Sequence, residues 1–159
     1  MAVDNETIRR EIIIGFEYSY LHDDWVNPLS EALEGVTAKE AIWRPGPDAK
    51  GIWDMVLHMA TWNENIVERI ETGETVGARD GHWPSPPEIP DEADWEAAKK
   101  RLWDSLDSIQ RTLESSSLEK IQSGGYHLGD LLCRFTHMGY HLGQITKLRE
   151  CMPFMKIAL

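Results

Sequence analysis

Apolar residues recur at three- and four-residue intervals in four long stretches of this chain, and this spacing predicts four amphipathic α-helices. The predicted helices cover residues 5–20, 51 or 52 to 72, 94–113 and 128–151. Residues that stop a helix mark two of the ends, with Gly73 behind the second helix and Pro153 behind the fourth. Almost no strand is expected elsewhere. We therefore predict an all-α protein built as a four-helix bundle.

Shorter features join these predicted helices. The first helix is expected to be interrupted at residues 21–28 and to resume through 29–33, with Pro28 in a first turn. Thr37 and Glu40 have the spacing of a capping box, which predicts one short helical turn. Residues 119–126 contain two adjacent glycines, so we expect a turn there with a short extended piece.

A stretch rich in glycine and proline separates the second helix from the third. Residues 74–94 predict no regular element. A connection of about 20 residues is long for a compact domain, which favours a crossover or a functional lid. Such a loop can span a helix from end to end, so the second and third helices can run parallel. His82 and Trp83 lie in its middle and could close over one end of the bundle.

Length, charge and cysteine content limit the kind of protein this is. A chain of 159 residues, 42% of them hydrophobic, is expected to form a single domain over residues 1–159. The net charge of −11 argues against a nucleic-acid partner. No apolar run approaches the ~18 residues of a membrane span, and the N-terminus lacks the pattern of a signal peptide. The two cysteines lie too far apart on one predicted helix to bond with each other. We therefore expect a cytoplasmic protein without a membrane partner.

Three histidines form the main candidate for chemistry. His137 and His141 lie one turn apart on the fourth helix, on the apolar face that continues through Ile145. His58 lies at the border of the apolar face of the second helix, one turn before Trp62. Neutral imidazole binds zinc, nickel, iron or copper, and three protein ligands leave positions open for water or substrate.

The spacing alone leaves a second interpretation open. An inward-facing histidine is often a hydrogen-bonded core residue, and two histidines four residues apart can be a coincidence. The other histidines illustrate the difficulty, because each could be a ligand and each has an ordinary explanation at a surface or in a loop. They are His22, His82 and His127.

Two segments resemble the DinB-like superfamily, a group of four-helix bundles related to the YfiT metal-dependent hydrolases. They are GIWDMVLHMATW at residues 51–62 and HMGYHLGQI at residues 137–145. Connecting segments that begin at Trp43 and His82 also look like those of the family. The resemblance covers nearly the whole chain. It implies an up-down-down-up bundle with a long crossover between the second and third helices.

The same resemblance implies a site and a class of activity. One divalent ion, zinc or nickel, is expected on His58, His137 and His141, and homodimers are frequent in the family. Related families include bacillithiol and mycothiol S-transferases and a mycothiol-dependent maleylpyruvate isomerase. The expected function is therefore metal-dependent hydrolysis or transfer of a low-molecular-weight thiol to a small electrophile. The alternative is a non-catalytic, metal-binding stress or interaction protein that acts as a homodimer.

Four further residues are candidates for the lining of the pocket. Trp25 and Trp62 could form apolar walls, although tryptophan at helical spacing is more often a core residue. Gln144 could orient a ligand imidazole or could simply be solvated. Arg134 could hold an anionic group, but we favour a surface ion pair with Asp130, four residues before it. No catalytic side chain is evident, so the nucleophile is expected to be metal-bound water or thiol.

Overall fold

The computed structural model describes residues 4–24, 26–123 and 127–155, apart from the side chains of 153–155. In these residues the structure is helical and contains no strand, which confirms the all-α prediction. The helices, numbered in chain order, are α1 (Asn5–Tyr18), α2 (Leu29–Leu33), α3 (Ala38–Ala41), α4 (Ile52–Thr72), α5 (Glu92–Ser115), α6 (Leu118–Ser123) and α7 (Leu128–Met155). Four of them are long, and none in the described residues has the length and hydrophobicity needed to cross a membrane.

Helix α4 has the bounds that the sequence predicts. Gly51 precedes its first turn, and the side chain of Asp54 accepts the backbone N–H of Gly51 at 2.8 Å. The same carboxylate accepts two hydrogen bonds from Arg44, at 2.7 and 2.8 Å, and so ties the preceding loop to the helix. At the other end Gly73 adopts φ 76°, a left-handed conformation that stops a helix and that suits glycine.

Helices α4 and α5 run in the same direction. The rings of Trp53 and Trp95 pack near the start of the two helices, with centroids 5.1 Å apart. Further along, Asn63 donates a hydrogen bond to Ser105 at 3.0 Å. Because the residue numbers of the two pairs rise together, the chain must return to the starting end between the helices. The loop at residues 73–91, which contains no helix or strand, makes this crossover.

Helix α7 packs against α4 in the opposite direction. His58 lies beside His141, whereas Trp62, one turn later on α4, lies beside Arg134, earlier on α7. The two helices therefore cross the same region with their residue numbers in reverse order, and the three histidines meet there. The full up-down-down-up order of the bundle stays a prediction, as do the single domain over residues 1–159 and the homodimer.

The core fills the space between the long helices. Its largest fully buried side chains are Trp53, Trp95, Phe16, Leu29, Ile52, Met59, Ile66, Ile70, Leu102, Leu106 and Ile109. Most of them lie on α4 and α5, whose apolar faces pack against each other. This packing fixes the position of α4 and hence that of His58.

The ends of α1, α2 and α5 differ slightly from those predicted. Helix α1 ends at Tyr18 rather than at residue 20, because the hydroxyl of Ser19 donates to the carbonyl of Phe16 at 2.6 Å and closes the last turn. Pro28 precedes α2 as its N-cap instead of lying in the first turn. Helix α5 begins earlier than predicted, because the side chain of Asp91 accepts the N–H of Asp94 at 2.8 Å.

Two predictions near the C-terminus are wrong. Residues 118–123 form helix α6 instead of a turn with an extended piece, since Leu118 and Ile121 place two buried side chains on one face. The hydroxyl of Ser117 also accepts the N–H of Lys120 and caps that helix. Residues 124–126 lie outside the described part of the chain. Helix α7 continues past Pro153 to Met155, so the proline lies in its last turn and only two helical residues follow it.

Candidate metal centre

Three imidazoles converge between α4 and α7. One nitrogen from each of His58, His137 and His141 lies within 4.8 Å of the others. No other group of histidine, cysteine or carboxylate side chains in the described residues is arranged in this way. His58 and His141 are buried, with 0% and 3% of their surface exposed, and His137 is half-buried. The arrangement is therefore an internal cluster that opens to solvent only on the His137 side.

The distances between the nitrogens suit a small divalent ion. Nε2 of His137 lies 3.3 Å from Nε2 of His58 and 2.9 Å from Nε2 of His141. Zinc binds imidazole nitrogen at about 2.0–2.1 Å, and tetrahedral geometry then separates two ligand nitrogens by about 3.4 Å. Only a small outward movement of the rings is needed to place all three nitrogens on one ion. The three histidines therefore fit a metal of this size.

Hydrogen bonds on the far side of two rings fix which nitrogen faces the centre. Nδ1–H of His58 donates to the backbone carbonyl of His82 at 2.6 Å. Nδ1–H of His141 donates to Oε1 of Gln144 at 2.7 Å. A neutral imidazole carries one proton, so Nε2 of both rings presents a lone pair to the centre. Partners of this kind orient histidine ligands in metal sites.

The three histidines cannot supply a hydrogen-bond donor to every nitrogen that faces the centre. In the neutral state the ring of His137 carries one proton, so its Nε2 can donate to His58 or to His141 but not to both. At least one buried nitrogen therefore faces another nitrogen without a proton between them. A cation at the centre would remove this conflict, because all three lone pairs could then be directed at it.

Burial keeps the three imidazoles neutral. It lowers the pKa of His58 to about 4, opposed by the hydrogen bond to His82 and helped by the neighbouring histidines. It likewise lowers the pKa of His141 to about 4, with His137 adding to the effect. The pKa of His137 is lowered by burial and then by the charge of Arg134. At neutral pH all three rings are therefore in the form that binds a metal.

The crossover loop covers His58. The ring of Trp83 stacks on the imidazole of His58, with centroids 3.9 Å apart and planes 17° from parallel. The ring of Trp62 approaches the same imidazole edge-on, at 6.3 Å. The ring of His82 is near all three, with its centroid 5.0 Å from that of His58, 5.5 Å from that of Trp62 and 5.9 Å from that of Trp83. The loop thus supplies both an aromatic cover and the carbonyl that orients His58.

The predicted lining residues have different outcomes. Trp62 lies beside His58, and Gln144 accepts the Nδ1–H of His141, whereas their role in lining a pocket stays a prediction. Arg134 does not form the ion pair with Asp130 that its spacing favours. Within the described residues Asp130 accepts the N–H of His127 instead, and the guanidinium of Arg134 lies over the ring of Trp62, 4.4 Å from its centroid. The prediction for Trp25 falls on a residue outside the described part of the chain.

The remaining histidines lie outside the ligand set. His22 is exposed, 3.8 Å from a carboxylate oxygen of Glu17. His127 is exposed at the start of α7. His82 belongs to the centre, but through its backbone carbonyl and its ring contacts.

Several contacts at the site could not be predicted from the sequence. The carbonyl of His82 is a backbone group, so no residue type signals its role. Lys50 lies with its ammonium 5.0 Å from the centroid of the Trp83 ring. The hydroxyl of Tyr140 accepts a hydrogen bond from Nε2 of Gln144 at 3.0 Å and so fixes the orientation of that amide. The spacing of Tyr140 and Gln144, four residues apart on one helix, could have indicated this last contact.

Comparison with known proteins identifies the family of the chain. The family model of the DinB superfamily matches residues 21–145, a segment that includes all three histidines and the crossover loop. No curated protein matches the chain, and no solved structure does. The match covers most of the chain, and the helical fold and the histidine cluster agree with it. The chain belongs to the DinB superfamily.

Proposed function

We propose that this protein binds one divalent ion, zinc or nickel, through Nε2 of His58, His137 and His141. We further propose that it is a metal-dependent enzyme acting on a small electrophile, with transfer of a low-molecular-weight thiol favoured over hydrolysis. The observation that carries the proposal is the convergence of three neutral imidazoles, two of them held with their lone pairs towards one point. The preference for thiol transfer rests on resemblance to thiol S-transferase families.

The donor set favours a reactive site over a structural one. Structural zinc usually has four protein ligands, whereas three leave a position for an exchangeable group. His137 is half-buried, so this position is open to solvent on one side. A divalent ion held there would lower the pKa of a coordinated water or thiol and make it a nucleophile at neutral pH.

The protein residues contribute binding and orientation. Within the described residues no carboxylate contacts the three imidazoles, so no general base is evident beside them. His82 and Gln144 hold two rings in a fixed orientation, and the indoles of Trp62 and Trp83 exclude water from one side of His58. The activity therefore depends on an intact histidine set and on the cover that the crossover loop provides.

Metal analysis of purified protein tests the ligand set. Wild type, His58→Ala and His141→Ala are loaded with zinc or nickel, dialysed and measured by elemental analysis. We expect about one ion per chain for wild type and a large loss in both variants, because two ligands rarely hold such an ion against dialysis. His22→Ala is the matched control, since it removes an exposed histidine outside the cluster. Metal content unaffected by His58→Ala and His141→Ala would contradict the site.

Activity assays then separate an enzyme from a binding protein. The metal-loaded protein is incubated with bacillithiol, mycothiol or glutathione and with a chloronitrobenzene or a bimane as the electrophile. Metal-dependent formation of the thioether, lost in His58→Ala and kept in His22→Ala, would support thiol transfer. Hydrolysis of activated esters or amides with the same dependence would favour the hydrolase. Full metal binding without turnover of any of these substrates would favour the non-catalytic alternative.

A further inference from the structure

A divalent ion at the candidate centre would bring positive charge that no carboxylate of the described residues balances by direct contact with the three histidines. Three neutral imidazoles leave the full charge of a divalent ion uncompensated. Within the described residues no carboxylate contacts His58, His137 or His141, although the chain as a whole has a net charge of −11. A buried or half-buried charge of this kind favours a negatively charged ligand over a neutral one.

The guanidinium of Arg134 adds to this positive charge. Its guanidinium lies on the face of the Trp62 indole, 4.4 Å from the centroid, and within the described residues it makes no hydrogen bond or ion pair. Other arginines of the protein are held by carboxylates, as Arg44 is by Asp54 and Arg79 by Glu68. Stacking on a ring leaves the N–H groups at the edge of the guanidinium free to donate.

Arg134 lies near the open side of the cluster. It precedes His137 by three residues on α7, which places both side chains on the same side of the helix. An anion bound by Arg134 would therefore lie next to the imidazole at the open side of the centre.

A second cation flanks the other side of His58. The ammonium of Lys50 lies 5.0 Å from the centroid of Trp83, whose ring stacks on His58. Lys50 is half-buried and makes no ion pair with any described residue. The imidazole of His58 thus contacts two indoles, and each indole has beside it a cation that makes no ion pair with the described residues.

The indole beside Arg134 also holds a donor without an acceptor. Nε1–H of Trp62 is buried and has no hydrogen-bond partner in the described part of the chain. Such a group costs roughly 1–3 kcal/mol when it stays unpaired, so buried donors of this kind are rare and call for an explanation. The indole that Arg134 covers therefore combines a nearby positive charge with an N–H donor that has no acceptor among the described residues.

We propose that Arg134 binds an oxyanion of the substrate, so that the small molecule reacting at the centre carries a carboxylate or a phosphate. The planar edge of its guanidinium can donate two parallel hydrogen bonds to such a group. The proposal rests on the proposed function, since it describes the substrate of the same site.

Anion binding can be measured without knowing the reaction. Metal-loaded and metal-free proteins are titrated with malonate, with inorganic phosphate and with neutral malonamide by isothermal calorimetry. We expect an anion to bind and malonamide not to bind. Arg134→Gln is expected to weaken anion binding by about 10- to 100-fold, the effect of losing hydrogen bonds to a charged group. Lys50→Gln should weaken it less, and Arg134→Lys should restore part of it.

The control variant separates local binding from the overall charge. Arg10→Gln also removes one positive charge, but Arg10 is exposed on α1, beside Glu11. We expect Arg10→Gln to bind the anion as wild type does. If binding of malonate is the one weakened by Arg134→Gln, the oxyanion is a carboxylate. If binding of inorganic phosphate is the one weakened, the oxyanion is a phosphate.

Two results would overturn the inference, and neither depends on whether the protein binds a metal. Equal anion affinity in wild type and Arg134→Gln, with both folded by circular dichroism, would show that Arg134 only covers Trp62. Binding of malonamide as tightly as malonate would show that charge plays no part. The proposed function fails by a different measurement, the absence of metal from the wild-type protein, and the metal-free titration then still tests Arg134.

Discussion

Gln144 is expected to set how tightly His141 binds a divalent ion, although it would not touch the ion itself. Its Oε1 accepts the Nδ1–H of His141 at 2.7 Å, and its Nε2 donates to the hydroxyl of Tyr140 at 3.0 Å. The amide is therefore held with its oxygen towards the imidazole. Gln144→Ala removes the acceptor and leaves both His141 nitrogens free to carry the proton, including the one that must face the metal.

The structure gives the size of the expected effect. His141 is only 3% exposed, so water cannot easily replace the lost acceptor. When an imidazole binds a cation its remaining N–H becomes more acidic, and its hydrogen bond strengthens towards the ~1.5–3 kcal/mol of a bond to a charged group. That range corresponds to a loss of about 10- to 100-fold in metal affinity, as is typical when such a supporting partner is removed. Gln144→Glu should act in the opposite direction, because a carboxylate is a stronger acceptor.

A chelator competition assay measures this effect. Zinc is titrated into the protein in the presence of a chromophoric chelator, and dissociation constants are compared at neutral pH. Gln110→Ala is the matched control, because Gln110 donates to Glu17 and Glu114, none of which lies at the centre. Zinc affinity in Gln144→Ala equal to that of wild type, or weaker binding by Gln144→Glu, would refute the assigned role of the His141–Gln144 hydrogen bond.

Two other predictions concern stability. The metal-free protein should lose stability as the pH falls from 6.5 towards about 4, because unfolded His58 and His141 take up protons at their ordinary pKa while the folded rings, with a pKa of about 4, do not. The free energy of unfolding is expected to fall by roughly 3 kcal/mol for each ring. Urea unfolding of chelator-treated protein at several pH values measures this loss. A free energy of unfolding that does not change with pH over this range would contradict the prediction. Gly51→Ala should cost about 1–3 kcal/mol, since its new Cβ would meet the carbonyl oxygens of Trp43 at 2.6 Å and Ala41 at 2.9 Å. Gly46→Ala, which has no neighbour within 4 Å, is the control, and equal thermal unfolding of the two variants would be the contrary result.

Local interactions explain why much of the helical structure could be predicted. The bounds of α4 follow from Gly51 and Gly73, whose effects act within one turn of the helix. The capping box of Thr37 and Glu40 forms as its spacing predicts, with the Glu40 N–H donating to Thr37 at 3.3 Å. The failures have local causes too. Helix α6 is only six residues long, so its two buried side chains are too few to show a period.

The contacts of Arg134 show where local reasoning fails. Its spacing from Asp130 predicts an ion pair, yet the guanidinium lies on Trp62, a residue of another helix. An exposed ion pair between neighbours on one helix is worth only a few tenths of a kcal/mol, so a tertiary contact can easily replace it. The sequence of α7 cannot predict that Trp62, on α4, lies beside Arg134.

The sequence by itself determined that His137 and His141 share one face of a helix, because the period of the helix alone places residues four apart together. It also placed His58 near an inward face. Only the tertiary structure decided that one ring nitrogen from each of the three histidines lies within 4.8 Å of the others, since this depends on how α4 packs against α7. The same holds for the carbonyl of His82, which the crossover loop brings to His58. Periodicity and capping act between neighbours in the chain, whereas the packing of helices and the path of a loop depend on the whole core.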